Sequence, residues 1–411
     1  MILVFGALAH GAPIEINFEK LKELLQSRNA RAQSSALDLE AAQEREGSLG
    51  RSFLPKVDIY GGQESFVIGD LGRKTQPSYG AEVSLNLFKG GRDEIESEVR
   101  TLTAQRRSFQ VQRTVAEELL ESRRLYWEIV FNQDQVELIR LGIKINDQNL
   151  AAAEKRIRSG VATETDRVEF EMKGVILKRD LAQAEMRLGN FKRDFALLMN
   201  FRSNEDLRFP TKIDHTHDFD DLLSSGPNDR LFLSKEEELR GKEAELQAIS
   251  QKRVWWPELE AFAAYNQYNQ RIDSAGYDIP SNRRDESVVG LRARMSFGDG
   301  FEAMRESAAL SKEAQANLKR AEFRRNQVET SLQNEISELR YLHDQVHDAD
   351  ANIARAERYY KLTQSEYGRG VKNSPDVLGA SEKLFENRLK RLEIIKAFQM
   401  ARTQVMSKIG K

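Results

Sequence analysis

His343-Asp344-Gln345-Val346-His347 places two imidazoles one helical turn apart, a spacing with which a helix face can hold a metal ion. The residue after the first histidine is Asp344, where a zinc-hydrolase motif has glutamate. The pair therefore reads as polar side chains on a solvated helix face, and no metal site is expected. His215-Thr216-His217 lies in a stretch of turn formers and carries still less. No Ser/His/Asp order, phosphate-cradling glycine loop or strained nucleophile turn occurs, so neither a cofactor nor an enzymatic activity is expected. The 411 residues include no cysteine, which excludes disulfides, thiolate metal sites, cysteine nucleophiles and a lipidated N-terminal cysteine. Asp376 follows Pro375 where a helical pattern begins, a place at which an aspartate caps free backbone N–H groups.

The elements that would carry these residues are extended rather than compact. The 63 Lys and Arg are interspersed with 65 Asp and Glu, a net charge of -2 that gives no electrostatic footprint for nucleic acid. With 40% hydrophobic and 31% charged residues and a mean hydropathy of -0.60, the chain is poor in material for globular cores. Long helices that bury only a stripe resolve that mismatch. Ile2 to Ala9 is a short apolar run with an Ala-x-Ala end, expected to be the remnant of a secretory signal peptide, or alternatively a short buried strand. No apolar run elsewhere is long enough for a transmembrane helix, but short alternating strands of a β-barrel would escape that criterion.

The chain says one thing twice. A helical stretch from Phe18 to about Arg51 ends at Pro55, and strands are expected at 56–68 and 79–88. A second pair is expected at 258–270 and 287–297, opened by Trp255-Trp256-Pro257. In the second strand of each pair one face is apolar, with Tyr79, Ala81, Val83, Leu85 and Leu87 in the first copy. Val289, Leu291, Ala293, Met295 and Phe297 do the same in the second, while Arg292 and Arg294 take the hydrophilic side. A long three/four-spaced helix follows each pair and breaks at a glycine turn, near 160 and near 370. Gly160 to Asp166 and Gly370 to Asp376 have the same spacing, and a shorter helix returns after each. The expected organisation is thus a signal remnant at 1–9, a first repeat at 10–199, a linker at 200–234 and a second repeat at 235–411.

Four amphipathic strands cannot close on themselves, and an open sheet would leave an apolar face and two unpaired edges. Three copies would supply twelve strands, an even number that can close in a membrane. Phe53, Phe88, Trp255, Trp256 and Phe297 sit at the helix-strand junctions, as an aromatic girdle at one interface would require. A soluble sandwich could bury the same residues, although it gives no reason for such long helices.

Pro55 and Pro257 entering the first strands, the exits Gly90-Gly91 and Gly298-Asp299-Gly300, and the two turns together resemble the TolC-like trimeric outer-membrane efflux channels. The most specific stretch is Tyr367-x-x-Gly370 followed by Asp376-Val377-Leu378 and Ala380. The resemblance implies a mainly α fold with long antiparallel coiled-coil helices forming an α-barrel. It also implies a homotrimer whose four strands per chain build a 12-stranded β-barrel in outer-membrane lipid. Its function would be a passive exit channel of a tripartite efflux or type I secretion system, located in the outer membrane and extending into the periplasm. Its partners would be a periplasmic adaptor (membrane fusion) protein and an inner-membrane transporter.

By motif position, Thr165 and Asp166 match the gate-linking pair of the first turn, and Tyr367 and Lys372 are implied to tie the second turn to them, within or between protomers. Asp376 matches a gate aspartate, and three copies near an axis would form a cation-attracting ring. Gly379 stands where some members have a second aspartate, so a double carboxylate constriction is not expected. Gly160, Val161, Gly370 and Val371 are implied adaptor contacts; Arg292 and Arg294, alternating with Leu291, Ala293 and Met295, are expected from that alternation to face a wet lumen. The short linker and C-terminus imply a reduced equatorial collar. The alternative from the residues alone is a soluble or periplasmic coiled-coil scaffold or tether without channel activity.

Overall fold

The computed structural model describes residues 14–46, 49–67, 73–202, 206–215, 232–268, 285–297 and 299–410. The expected signal remnant at 1–9, His217, positions 203–205 and 216–231 of the expected linker, positions 68 and 269–270 of the expected strands, and Gly298 lie outside them. The chain divides into two compact units, one from Met1–Ala36, Val111–Phe232 and Arg324–Lys411, the other from Leu37–Gln110 and Leu233–Phe323. Two long helices run through both: α3 (Arg92–Arg158, 67 residues) and α6 (Asp299–Gly368, 70 residues). At 1.5 Å per residue each has a contour of about 100 Å. None of the described helices is long and apolar enough to cross a membrane.

Among its described residues the first unit is mainly helical, with a two-residue parallel pairing of β1 (Ile14–Glu15) with β4 (Leu207–Arg208). That pairing lies partly inside the expected linker. Its described part packs inward, with Leu207, Phe209 and Ile213 all buried. The aromatic centre is Tyr126, whose ring lies 5.6 Å from Phe18 and 5.6 Å from Phe209, with Phe195 a further 5.2 Å from Phe209. The helical stretch expected from Phe18 to about Arg51 is interrupted. After a 3-10 turn at Phe18–Lys20, α1 (Leu21–Arg28) stops at Asn29, and α2 (Ala30–Arg45) starts anew. Asn29 is the cause: its Oδ1 accepts from Ala32 N–H at 2.8 Å as an N-cap. Its Nδ2 reaches Glu118 and the Leu198 carbonyl, both at 2.9 Å. A buried side chain with three bonds outweighs one lost turn of helix.

In the same unit α4 (Glu164–Leu198) and α7 (Ser374–Ile409) return from the two turns. Ala153, Phe170, Ala356, Tyr360, Tyr367, Val377, Ala380 and Leu384 form one buried cluster next to the turns. It draws on all four of α3, α4, α6 and α7, so each three/four-spaced stripe finds a partner stripe.

The second unit carries an antiparallel sheet in the order β2-β3-β5-β6, flanked by α5 (Phe232–Lys252). The strands are β2 (Lys56–Val67), β3 (Arg73–Lys89), β5 (Glu258–Tyr268) and β6 (Asp285–Arg294). β3 starts earlier than alternation alone suggests, because Val67 still has a partner at Arg73. β6 ends at Arg294, short of the expected 297, because Arg294 pairs with Glu258 and the preceding Pro257 cannot extend the ladder. Between Asn86 and Phe88 the register shifts, leaving Leu87 as an extra residue. Strict alternation would put Phe88 on the polar face. The bulge instead pairs it with Leu259 on the apolar one.

Candidate functional site

The two turns have the same backbone chemistry. In the first, Gly160 N–H donates to Ile157 O at 2.9 Å and Val161 N–H to Arg156 O at 3.0 Å. In the second, Gly370 N–H donates to Tyr367 O and Val371 N–H to Glu366 O, both at 3.0 Å. This is the Schellman pattern, and it demands a left-handed residue: Gly160 has φ 76° and Gly370 φ 81°. A capping box then opens each returning helix, Thr163 with Asp166 and Asn373 with Asp376. Asp376 is thus the third residue of α7 rather than its N-cap; Asn373 holds that place.

The side chains differ. Asp166 Oδ2 accepts from Thr163 N–H at 2.8 Å, while its Oδ1 accepts from the Ser374 hydroxyl across the two turns. Ser374 Oγ also lies 2.6 Å from Glu169 Oε2 and is 1% exposed, so its single proton is shared between two carboxylates. Burial pushes the Asp166 carboxyl up, but the bonds from Ser374 and Thr163 together outweigh it and hold the group below the usual aspartate value. Asp376 meets no such partner; Lys372 Nζ lies 3.7 Å from its Oδ1, and both side chains are partly exposed. Within one chain, then, Asp166 is joined across the turns to Ser374, while Lys372 lies beside Asp376 of its own turn.

Tyr367 is buried, with the Arg156 guanidinium 4.0 Å above its ring, a cation–π contact that binds the second turn to α3. Burial, the largest influence, raises the Tyr367 hydroxyl, which keeps it neutral. Thr165 is exposed as the second residue of α4. Val161 and Val371 are exposed at the turn tips. Ser374, Glu169 and Arg156 escape the sequence reading: the only local hint was that Ser374 precedes Pro375 at a helix start.

The sheet sorts its residues by face. Lys56, Asp58, Glu82, Glu258, Glu260, Arg292 and Arg294 share one face by register. Arg292 lies 3.4 Å from Glu82 Oε1 and 3.3 Å from Glu260 Oε2, with its guanidinium 4.4 Å over the Phe262 ring. Arg294 is exposed on the same face. The opposite face carries Val57, Ile59, Val83, Leu259, Val289 and Leu291, and it is bare: Ile59 is 84% and Val289 85% exposed. Phe53, Phe88, Trp255, Trp256 and Phe297 gather at one end of the sheet, where β2 and β5 begin and β3 and β6 end. Trp255 packs edge-on against Phe301 at 5.6 Å, while Trp256 and Phe297 are exposed.

Sequence comparison matches the chain to no family model and to no curated protein. Comparison of structures does. The Campylobacter jejuni CmeC outer membrane channel superposes with a TM-score of 0.80 at 11% identity, over 96% of this chain and 85% of that one. The outer membrane protein VceC from the bacterial pathogen Vibrio cholerae gives 0.78 at 13%, over 96% of both chains. The open state of the Neisseria gonorrhoeae MtrE outer membrane channel gives 0.76 at 14%, over 96% of this chain and 88% of that one. Mainly helical among its described residues, with a four-stranded antiparallel sheet, the chain has the fold of the TolC-like outer-membrane channels.

Proposed function

We propose that the protein is a passive outer-membrane exit channel of a tripartite efflux or type I secretion system. It works as a homotrimer whose three sheets close a twelve-stranded barrel, with its long helices reaching into the periplasm. The observation that carries this reading is the sheet: an apolar face left bare opposite a charged one, with aromatic residues collected at one end. An uncovered apolar face of that extent needs lipid or a partner. The outer strands β2 and β6 bring edge groups that three-fold closure would pair.

In this reading Arg292 and Arg294 face a wet lumen, and Phe53, Phe88, Trp255, Trp256 and Phe297 mark a membrane interface. The turns form a gate at the periplasmic tip. Thr165, Asp166, Tyr367, Lys372 and Asp376 belong to that gate, while Gly160, Val161, Gly370 and Val371 meet a periplasmic adaptor coupled to an inner-membrane transporter. Exposed valines at both tips supply the apolar contact such docking would use. The protein does no chemistry of its own; the transporter supplies the driving force.

Light scattering on detergent-extracted protein tests the assembly. A trimer is expected, and a stable monomer that needs no detergent would overturn the reading.

A further inference from the structure

Residue spacing alone keeps His215 apart from His343 and His347; the structure brings the three rings together. His215 ends the described segment 206–215, which the β1 pairing and the buried Phe209 and Ile213 hold against the helices. Ile213 N–H also donates to Asp134 Oδ2 at 2.8 Å, fixing the chain two residues before the histidine. His343 and His347 stand one turn apart on α6, so their imidazoles project from one helix face. Ring centroids are 5.9 Å apart for His215 and His343, 5.6 Å for His215 and His347, and 4.9 Å for His343 and His347. One nitrogen from each ring lies within 4.8 Å of the other two.

We propose that His215, His343 and His347 form a tridentate site for a divalent transition-metal ion of the zinc class. Three imidazoles are the donor set that suits zinc, nickel, cobalt or copper(II), and not calcium or magnesium, which take oxygen. Tetrahedral bonds of about 2.0–2.1 Å put ligand nitrogens about 3.3 Å apart, so the rings need close by no more than about 1.5 Å. His347 is exposed and can make that adjustment by side-chain rotation, and it leaves the fourth position open to water.

The surroundings support ligation. His215 Nδ1 lies 3.3 Å from Asp214 Oδ1, and His343 Nδ1 lies 3.5 Å from Asp344 Oδ1. A carboxylate on Nδ1 is the usual outer-shell partner of a metal-bound histidine and leaves Nε2 as the ligand atom. Arg391, 3.8 Å from Asp214 Oδ1 and also bonded to Asp350, steadies the first of these carboxylates. Phe398 of α7 backs the site, 6.5 Å from the His215 ring and 6.2 Å from that of His343, giving it one apolar wall. Asp344, which removed the zinc-hydrolase motif, is on this geometry an outer-shell group. The bound ion would clamp segment 206–215 to α6, so it would stabilise the fold by mass action. The inference does not depend on the channel reading, since all three ligands lie in the helical unit.

The test is calorimetric titration of Zn2+ into untagged, full-length protein stripped with chelator in detergent, with Co2+ as a spectroscopic probe. One ion per chain with a Kd of about 1 μM or tighter, a raised melting temperature and a visible Co2+ band of low-coordinate type are expected. His215→Gln, His343→Gln and His347→Gln should each weaken binding by at least about tenfold, while His10→Gln should leave it unchanged. If His343→Gln disturbs folding by circular dichroism, the exposed His347→Gln still decides the matter. No saturable Zn2+ binding below about 100 μM would overturn the proposal. So would full affinity retained in His215→Gln, since the helical pair alone would then be the binder.

Discussion

The two turns share a backbone and differ in what their aspartates do. When Gly160 is aligned with Gly370, Asp166 and Asp376 fall together, each the third residue of a returning helix and each closing a capping box. Asp166 has a second partner, the Ser374 hydroxyl of the other turn, whereas Asp376 faces solvent beside Lys372. Tyr367 aligns with Ile157; the tyrosine is buried under Arg156 and the isoleucine only half-buried. The two turns thus share one local backbone pattern, and the contact between them is built on side chains that differ from one turn to the other. The shape of a turn and the latch between turns are separable, and a substitution can remove one without the other.

The largest expected asymmetry lies at the aromatic position. Tyr367→Ala empties a buried site and should lower the local opening free energy of the turns by about 3–5 kcal/mol, read by amide hydrogen exchange over 156–166 and 367–376. Ile157→Ala, at the matching place, should cost about 1 kcal/mol. Similar values would mean that the turns are energetically alike and the burial of Tyr367 immaterial. Next comes the latch. Ser374→Ala leaves two carboxylates without their hydroxyl and should cost about 1–3 kcal/mol, against less than about 0.5 for the aligned and exposed Glu164→Ala. The same exchange experiment separates them.

Acid should release the latch. Because the folded turn holds the Asp166 carboxyl below its ordinary value, its contribution is complete above about pH 4 and is lost as pH falls through the folded value. Exchange at the tip should therefore accelerate in that acidic window, and Asp166→Asn should flatten the dependence. An unchanged profile in that variant would place the titrating group elsewhere. The smallest effect belongs to Lys372→Ser. An exposed pair of this kind contributes about 0.2–1 kcal/mol, and a larger loss in hydrogen exchange would show that Lys372 has a partner beyond Asp376.

Much of this was legible before any coordinates. Glycine at a fixed distance from aspartate marks a turn and a capping box because both are satisfied within a few residues, and the period-two faces of β3 and β6 follow from the pleat alone. What escaped depends on residues distant in sequence. Asn29 breaks a helix because it finds Glu118 and the Leu198 carbonyl. Leu87 bulges because β5 fixes the partner of Phe88, and β4 forms only because β1 lies beside it. The Ser374 latch and the meeting of His215 with His343 and His347 have the same character, since no local pattern encodes a contact between segments far apart in the chain.

Single-channel recording in planar bilayers tests the central claim most directly, comparing the wild-type protein with Ser374→Ala and Glu164→Ala. Inserted wild-type protein should give discrete conductance steps, Ser374→Ala larger ones because the link between turns is cut, and Glu164→Ala steps of wild-type size. No steps from correctly inserted protein would contradict the channel itself, and one common conductance for all three would contradict a gate built on the asymmetry of the two turns.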